Sequence, residues 1–140
     1  MRLLAAREHT RAELRRKLSA RREATPEAVE AVLDAFAARG LQSDARYVEQ
    51  YLATRAARGY GPVRIRAELR ERGVEGRLID EWLDERDPAW GERLRAAAQK
   101  RFGAAAPADF RERARRARFL EQRGFGADLI RRALFEGEDA

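Results

Sequence analysis

The chain contains no cysteine and a single histidine, His9, so two large classes of site chemistry are missing from it. Without cysteine there can be neither a disulfide nor a thiolate metal site. One imidazole cannot supply the histidine pairs that many zinc enzymes use. The two serines, Ser19 and Ser43, have no candidate base near them in the sequence. We therefore predict a protein that is not an enzyme and that has no metal or other cofactor.

Long apolar runs are missing as well. None approaches the ~18 residues that span a bilayer, and the N-terminus lacks the apolar core of a signal peptide. We therefore expect a cytoplasmic protein with no membrane partner. Only 4 Pro and 10 Gly interrupt 140 residues, and no strand-like alternation of β-branched and aromatic residues occurs. With 28 Ala and 28 Arg, both strong helix formers, the composition predicts an all-α protein.

The sequence contains an internal repeat, in which similar residues recur at an offset of 50 or 51 positions. A triplet of mainly apolar positions occurs at 29, 32 and 33, again at 79, 82 and 83, and again at 130, 133 and 134. The pair Leu14 and Leu18 recurs as Ile65 and Leu69. A period of this length indicates one supersecondary unit used three times, with each unit burying its apolar stripe on its neighbour.

The repeat predicts three tandem three-helix units of the helix-turn-helix type. They cover residues 1–42, 43–87 and 88–140, in an elongated, curved arrangement. Nine helices are expected in total.

Helix starts can be read from capping residues. The first helix is expected near residues 2–8. Thr10 and Glu13 then have the spacing of a capping box, in which each side chain satisfies a backbone amide at the start of the next helix. Thr25 before Pro26 predicts another start, because proline at the first helical position loses no hydrogen bond.

Charge alternates with the repeat, so that the middle helix of each unit is basic and the third is acidic. The net charge is +6 overall, and it is distributed as follows: +6 over residues 2–22, −4 over 23–34, +4 over 52–72, −4 over 74–87, +6 over 88–118 and −2 over 119–140. One interpretation is a solvated surface with ion pairs between neighbouring helices. The other is a basic stripe for a polyanion or an acidic partner.

The second interpretation identifies candidate partner-binding residues on the middle helices and the segments that lead into them. Arginine suits such contacts because its planar guanidinium group can bind phosphate or carboxylate with two hydrogen bonds. The candidates for contact with a partner or with DNA are Arg15, Arg16, Arg55, Arg58, Arg64, Arg66, Arg115 and Arg116.

The remaining conspicuous side chains are assigned structural roles. His9 is expected to be exposed or partly packed just before the first cap. Tyr47, Tyr51, Trp82 and Trp90 are expected to contribute to the core or to contacts between repeats, rather than to platforms that stack bases.

Several phrases resemble the bacterial RecX family. Residues 7–14 (REHTRAEL) are similar to the family's opening phrase, and residues 58–62 (RGYGP) with 72–74 (RGV) are similar to its central phrase. Residues 115–125, which end in RGF, fit its C-terminal phrase. The resemblance extends over nearly the whole chain and implies the same three three-helix units.

The resemblance also implies a function. RecX proteins regulate the RecA recombinase, usually as inhibitors, and belong to DNA repair, homologous recombination and the SOS response. The expected partner is therefore the RecA filament on DNA, with single- or double-stranded DNA as a further partner and the protein itself a monomer. The residues alone support a basic helical binder, so a general DNA- or RNA-binding protein stays open as the alternative.

Overall fold

The regular structure of the described residues is entirely helical. The computed structural model describes residues 7–136, with side chains up to residue 134, and no β-strand occurs there. Eight α-helices follow one another: α1 (Arg11–Ser19), α2 (Pro26–Ala38), α3 (Asp44–Ala57), α4 (Pro62–Glu71), α5 (Gly76–Trp82), α6 (Ala89–Phe102), α7 (Phe110–Gln122) and α8 (Ala127–Arg131). A π-helical turn, Arg132–Glu136, continues α8. The all-α prediction is confirmed.

One prediction falls outside this part of the chain. The helix expected near residues 2–8 lies mostly on residues 1–6, which are outside the described residues. Within residues 7–136, no helix combines the length and the hydropathy that a bilayer crossing requires.

Contacts divide the molecule into two compact units. The first unit comprises the described residues up to Tyr51 together with Glu68–Trp82. The second comprises Leu52–Ala67 together with the described residues from Leu83 onward. Helices α3 and α4 therefore each contribute to both units.

The predicted helix starts at the first two caps are confirmed. The Thr10 hydroxyl accepts a hydrogen bond from the Glu13 amide at 3.0 Å, and the Glu13 carboxylate accepts one from the Thr10 amide at 3.0 Å. Thr25 caps α2 through the Ala28 amide, with Pro26 at the first helical position. These contacts satisfy amides that no helical carbonyl can reach.

Four helices end in an Arg-Gly pair followed by an apolar residue, at Gly40, Gly59, Gly73 and Gly124. At the last of these, the Phe125 amide donates to the Leu120 carbonyl at 3.1 Å and the Gly124 amide to Glu121 at 3.0 Å. This is the Schellman arrangement, and it requires the positive φ that glycine adopts without strain. The Arg-Gly phrases of the sequence are therefore helix ends.

In the first unit, the start of α1 contacts the Arg-Gly turn at the end of α4. The buried Thr10 hydroxyl donates a hydrogen bond to the Arg72 carbonyl at 2.7 Å, in addition to accepting its cap bond. Gly73 lies so close to Ala12 that a Cβ atom at position 73 would overlap the Ala12 methyl group. Sequence positions 62 residues apart are thus in direct contact.

In the second unit, the start of α4 contacts the Arg-Gly turn at the end of α7 in a similar way. The Gly61 amide donates to the Arg123 carbonyl at 2.7 Å, and the Val63 amide donates to the Gly124 carbonyl at 2.9 Å. Gly61 and Arg123 are again 62 residues apart. The repeat of the sequence is therefore matched by a repeated junction, in which a helix start takes up the carbonyls at the end of the next middle helix.

The apolar register is correct, but the predicted stripe is one position too wide. Positions 29, 33, 79, 83 and 130 are buried, as are Leu14, Ile65 and Leu69. Val32 is 38% exposed and Trp82 is 40% exposed, although both were expected to pack. They occupy equivalent positions in two repeats, so the second member of the triplet lies at the edge of the apolar face in both.

His9 is buried, contrary to expectation, with 1% of its surface exposed. Its Nδ1 lies 2.9 Å from the Arg7 carbonyl oxygen and its Nε2 lies 3.1 Å from Lys17 Nζ. An imidazole with Nδ1 protonated donates to the first and accepts from the second. These two partners explain how a polar ring is accommodated there, since buried polar groups need hydrogen bonds.

Candidate functional site: an arginine-lined groove

The second unit contains a groove of about 330 Å³ between the end of α3, the length of α6 and the end of α7. We call it the α3–α6 groove. It is lined by Ala56, Ala57, Arg58, Gly59, Arg93, Ala96, Ala97, Lys100, Arg101, Phe119 and Arg123. Helix α6 contributes the residues at positions 93, 96, 97, 100 and 101 to the lining, and these positions share one helical face.

The groove combines a small apolar floor with a cationic rim. The four alanines that line the groove make up what we call its floor, and a Cβ added at Gly59, just after α3, would lie 3.8 Å from the Ala97 methyl. The described residues that line it include five cationic side chains and no acidic one: Arg58, Arg93, Lys100, Arg101 and Arg123. Such a concentration of one sign of charge attracts anionic groups.

Stacking on aromatic rings holds several arginines beside the groove. The guanidinium carbons of Arg55, Arg64 and Arg123 lie 3.8, 4.5 and 4.8 Å from the centre of the Tyr60 ring. Contacts of this kind combine cation–π attraction with packing. A stacked guanidinium group uses its face, and its in-plane N–H groups stay suited to binding an oxyanion.

The aromatic contacts continue along α6 and α7. Arg123 also lies 5.2 Å from the Phe119 ring, and Arg101 lies 5.4 Å from Phe102. The rings of Phe102 and Phe119 meet edge to face at 5.3 Å. Arg101 and Arg123 are therefore positioned on packed rings, which lowers the conformational entropy that they would lose on binding a ligand.

Three of the predicted arginines belong to this region. Arg55 and Arg64 stack on Tyr60, and Arg64 also donates a hydrogen bond to the Gln122 carbonyl at 3.2 Å. Arg58 is exposed and lines the groove. The tyrosine of the RGYGP phrase is thus the centre of an arginine cluster.

Other predicted arginines form ion pairs within the protein. Arg15 Nε lies 2.6 Å from a Glu30 carboxylate oxygen, and this contact, followed by that of Arg11, lowers the pKa of Glu30 to about 2. Arg66 Nε lies 2.9 Å from Glu85 Oε1, and Arg66 Nη2 donates a hydrogen bond to the Leu83 carbonyl. These pairs join the basic middle helix of a repeat to the acidic segment that follows it.

Of the three remaining predicted arginines, two are on α7 and one is on α1. Arg115 binds both oxygens of Glu112 at 2.9 Å and lowers the pKa of that carboxyl to about 2, with Arg116 contributing less. Arg116 also donates to the Ala105 carbonyl. Arg16 is exposed on α1 in the first unit.

The sequence interpretation missed Arg93, Lys100, Arg101 and Arg123 as members of one site. The spacing on α6 was an available signal, because two cationic ends flank alanines on a single helical face. Arg123 stood in a recognised Arg-Gly phrase. Its convergence with α6 depends on the packing of α7 and could not be inferred from spacing.

The arrangement is suited to binding. Among residues 7–136, no three His, Cys, Asp or Glu side chains converge on a possible metal position. The groove itself presents cations, methyl groups and the aromatic side chain of Phe119. Chemically, it can hold carboxylate or phosphate groups beside a small apolar group.

Comparison with known proteins explains the repeat. Models of the first, second and third three-helix domains of RecX match residues 1–35, 43–83 and 92–134. The chain is 50% identical over 139 residues to regulatory protein RecX of Halorhodospira halophila, an overlap that covers 99% of this chain and 86% of the relative. It is 48% identical over 134 residues to regulatory protein RecX of Pseudomonas savastanoi pv. phaseolicola, covering 96% and 86% of the two chains.

Solved structures agree on the fold. The crystal structure of RecX from Lactobacillus salivarius superposes with a TM-score of 0.80 at 19% identity, over 99% of this chain and 92% of that one. A second crystal structure of a regulatory protein RecX gives 0.77 at 23% identity, over 96% and 68%. The prediction of three tandem three-helix repeats is confirmed by the three domain matches. With relatives near 50% identity over almost its whole length, the chain belongs to the RecX family of regulatory proteins.

Proposed function

We propose that this protein is a non-enzymatic regulator of the RecA recombinase, acting as an inhibitor that binds the RecA filament on DNA. It lowers the ATPase activity of the filament, strand exchange and filament growth. It acts in the cytoplasm as a monomer. Membership in a family of regulatory proteins supports the regulatory role, and the choice of RecA as partner rests on the family resemblance.

The α3–α6 groove is the observation that carries the proposal. Its five cations, its alanine floor and its lack of acidic side chains among the described lining residues favour docking on an anionic macromolecular surface over chemistry on a small substrate. Of the eight arginines predicted to bind a partner, Arg58 lines the groove and is exposed. Because the Arg58 side chain is exposed, we expect a substitution at this position to have little effect on folding.

Titration of the protein against RecA filaments on single-stranded DNA tests the proposal. We expect ATP hydrolysis to fall at amounts well below one molecule per RecA protomer. The filament is a polymer, so one bound regulator affects many protomers, and linked repeats raise the effective concentration of each later contact. Unchanged ATPase activity and strand exchange at equimolar protein would contradict the proposal.

Charge reversal tests whether the groove takes part. Reversing Arg64 and Arg66 would also break the Tyr60 stack and the Glu85 ion pair, so a loss of activity there would be ambiguous. The sharper variant is Arg58→Glu combined with Lys100→Glu, since both side chains are exposed and line the groove. We expect inhibition to weaken while helicity and the melting temperature stay near wild type.

General binding of DNA or RNA is the alternative, and the net charge of +6 favours it. A protein that binds mainly phosphates loses affinity steeply as salt is raised. A regulator docked on RecA depends instead on RecA being present. Binding to naked DNA with a steep salt slope, together with a flat RecA titration, would favour the alternative.

A further inference from the structure

We propose that the α3–α6 groove is a docking site for an acidic peptide segment of a partner protein, which places an apolar side chain on the alanine floor and its carboxylates against the cationic rim. This ligand chemistry is the same whichever protein carries the segment, so docking of the peptide can fail or hold independently of the proposed action on RecA.

Charge complementarity gives the first argument. Arg93, Lys100 and Arg101 come from α6, while Arg58 and Arg123 come from the ends of α3 and α7. Among the described residues, no acidic side chain lines the groove. The arginines beside Glu30, Glu85 and Glu112, in contrast, already have carboxylate partners within the protein. The rim therefore has the donors that a carboxylate-rich segment needs.

The floor gives the second argument. Ala56, Ala57, Ala96 and Ala97 present methyl groups to the groove. A volume of about 330 Å³ is near the lower end of the range for ligand pockets, so it accommodates one or two side chains. Burying an apolar side chain there stabilises a complex through the hydrophobic effect.

The aromatic contacts favour a peptide over a nucleic acid. Proteins that bind single strands offer aromatic faces on which bases stack. Here Tyr60 has three guanidinium groups within 5 Å of its centre, and Phe119 contacts Phe102 and Arg123. A base that stacked on Tyr60 or Phe119 would therefore compete with arginines for the ring. A phosphate backbone, for its part, has no apolar side chain for the alanine floor.

The probe is a short fluorescein-labelled peptide of repeated Glu-Glu-Leu, titrated with the full chain and followed by fluorescence anisotropy. We expect saturable binding that weakens when every Glu of the peptide is replaced by Gln. Binding should also weaken when every Leu is replaced by Ser, since that peptide keeps its charge but loses the group that contacts the floor. A labelled oligo-dT strand is titrated in parallel.

Two double variants locate the site. Arg58→Glu with Lys100→Glu reverses two exposed cations of the groove, and we expect peptide affinity to fall by about tenfold or more. Arg111→Glu with Arg118→Glu makes the same change of net charge on positions of α7 outside the groove, and we expect a much smaller effect. Circular dichroism and the urea midpoint show that each variant is folded.

The outcomes separate the possibilities. Loss of peptide affinity in the groove variant alone, with dependence on both Glu and Leu, supports the proposal. Equal losses in the two variants, or equal binding of the Ser peptide, would show attraction by net charge without docking and would overturn it. Loss of oligo-dT binding in the groove variant with no effect on the peptide would assign the groove to nucleic acid and would overturn it too. RecA activity is absent from all these readouts.

Discussion

Glycine at the junction of α4 and α7 offers the sharpest test of how this fold is held together. Two effects can require glycine: a positive φ and a lack of space for Cβ. Gly40 has φ +70° and no atom within 4 Å of the point where a Cβ would lie, so Gly40→Ala tests strain alone. Gly61 lacks positive φ, but its Cβ would lie 2.5 Å from the Gly124 carbonyl carbon, so Gly61→Ala tests close packing alone. Gly124 has φ +98°, and its Cβ would lie 2.7 Å from the backbone nitrogen of Arg64, so Gly124→Ala combines both effects.

The magnitudes follow from these geometries. An alanine at positive φ costs about 1–2 kcal/mol, from which the lower entropy of the unfolded chain subtracts about 0.4–1 kcal/mol. We therefore expect Gly40→Ala to lower the free energy of unfolding by about 1 kcal/mol. Overpacking against backbone costs about 1–3 kcal/mol or more, so Gly61→Ala should cost about 2 kcal/mol. Gly124→Ala should cost at least about 3 kcal/mol, because strain and overlap add.

Urea unfolding followed by circular dichroism measures the three costs, and the double variant of Gly61 and Gly124 provides a further check. Once one alanine has opened the junction, the second meets less resistance, so the combined cost should be smaller than the sum. A Gly124→Ala variant no less stable than Gly40→Ala would refute the junction as described. Strict additivity of Gly61→Ala and Gly124→Ala would show that the two glycines do not share one contact.

Two further predictions concern the core and the buried histidine. Leu69→Ala should lower the free energy of unfolding by about 2–5 kcal/mol because Leu69 is fully buried. Val63→Ala, at a 48% exposed position on the same helix, should change that free energy by less than about 0.5 kcal/mol. Similar effects of the two substitutions in urea unfolding would show that the buried face of α4 is misassigned. Burial, with the charges of Arg7 and Lys17, lowers the pKa of His9 from its ordinary 6.5, so the unfolded chain binds the proton more readily and stability is lost as the pH falls below about 6.5. His9→Gln removes the only histidine and should flatten the dependence between about pH 7.5 and 5.5, and an unaltered slope would exclude His9 as its source.

Local structure was predictable because its causes are local. The caps at Thr10 and Thr25 depend on atoms within three residues of each other, so their spacing in the sequence was sufficient. Positions 29, 33, 79 and 83 were correctly assigned to the core, since a helical period places them on one face. The repeat predicted the class of fold for the same reason.

The width of the apolar face was decided by the tertiary structure. Val32 and Trp82 fit the helical period, yet both are only partly covered, because coverage depends on how far the neighbouring helices extend. His9 shows the converse. A polar residue before a cap is usually exposed, but hydrogen bonds to Arg7 and Lys17 allow this ring to be buried.

The sequence by itself determined where the basic side chains occur, and only the tertiary structure decided which of them have acidic partners and which surround a groove. Helix packing pairs Arg15 and Arg66 with Glu30 and Glu85, while their contact with a partner stays a prediction. Arg58 and Arg123 meet α6 across long separations in the chain. Helix caps and periodicity reflect bonds between near neighbours, whereas the convergence of charges depends on which helices pack together, and that is a property of the whole fold.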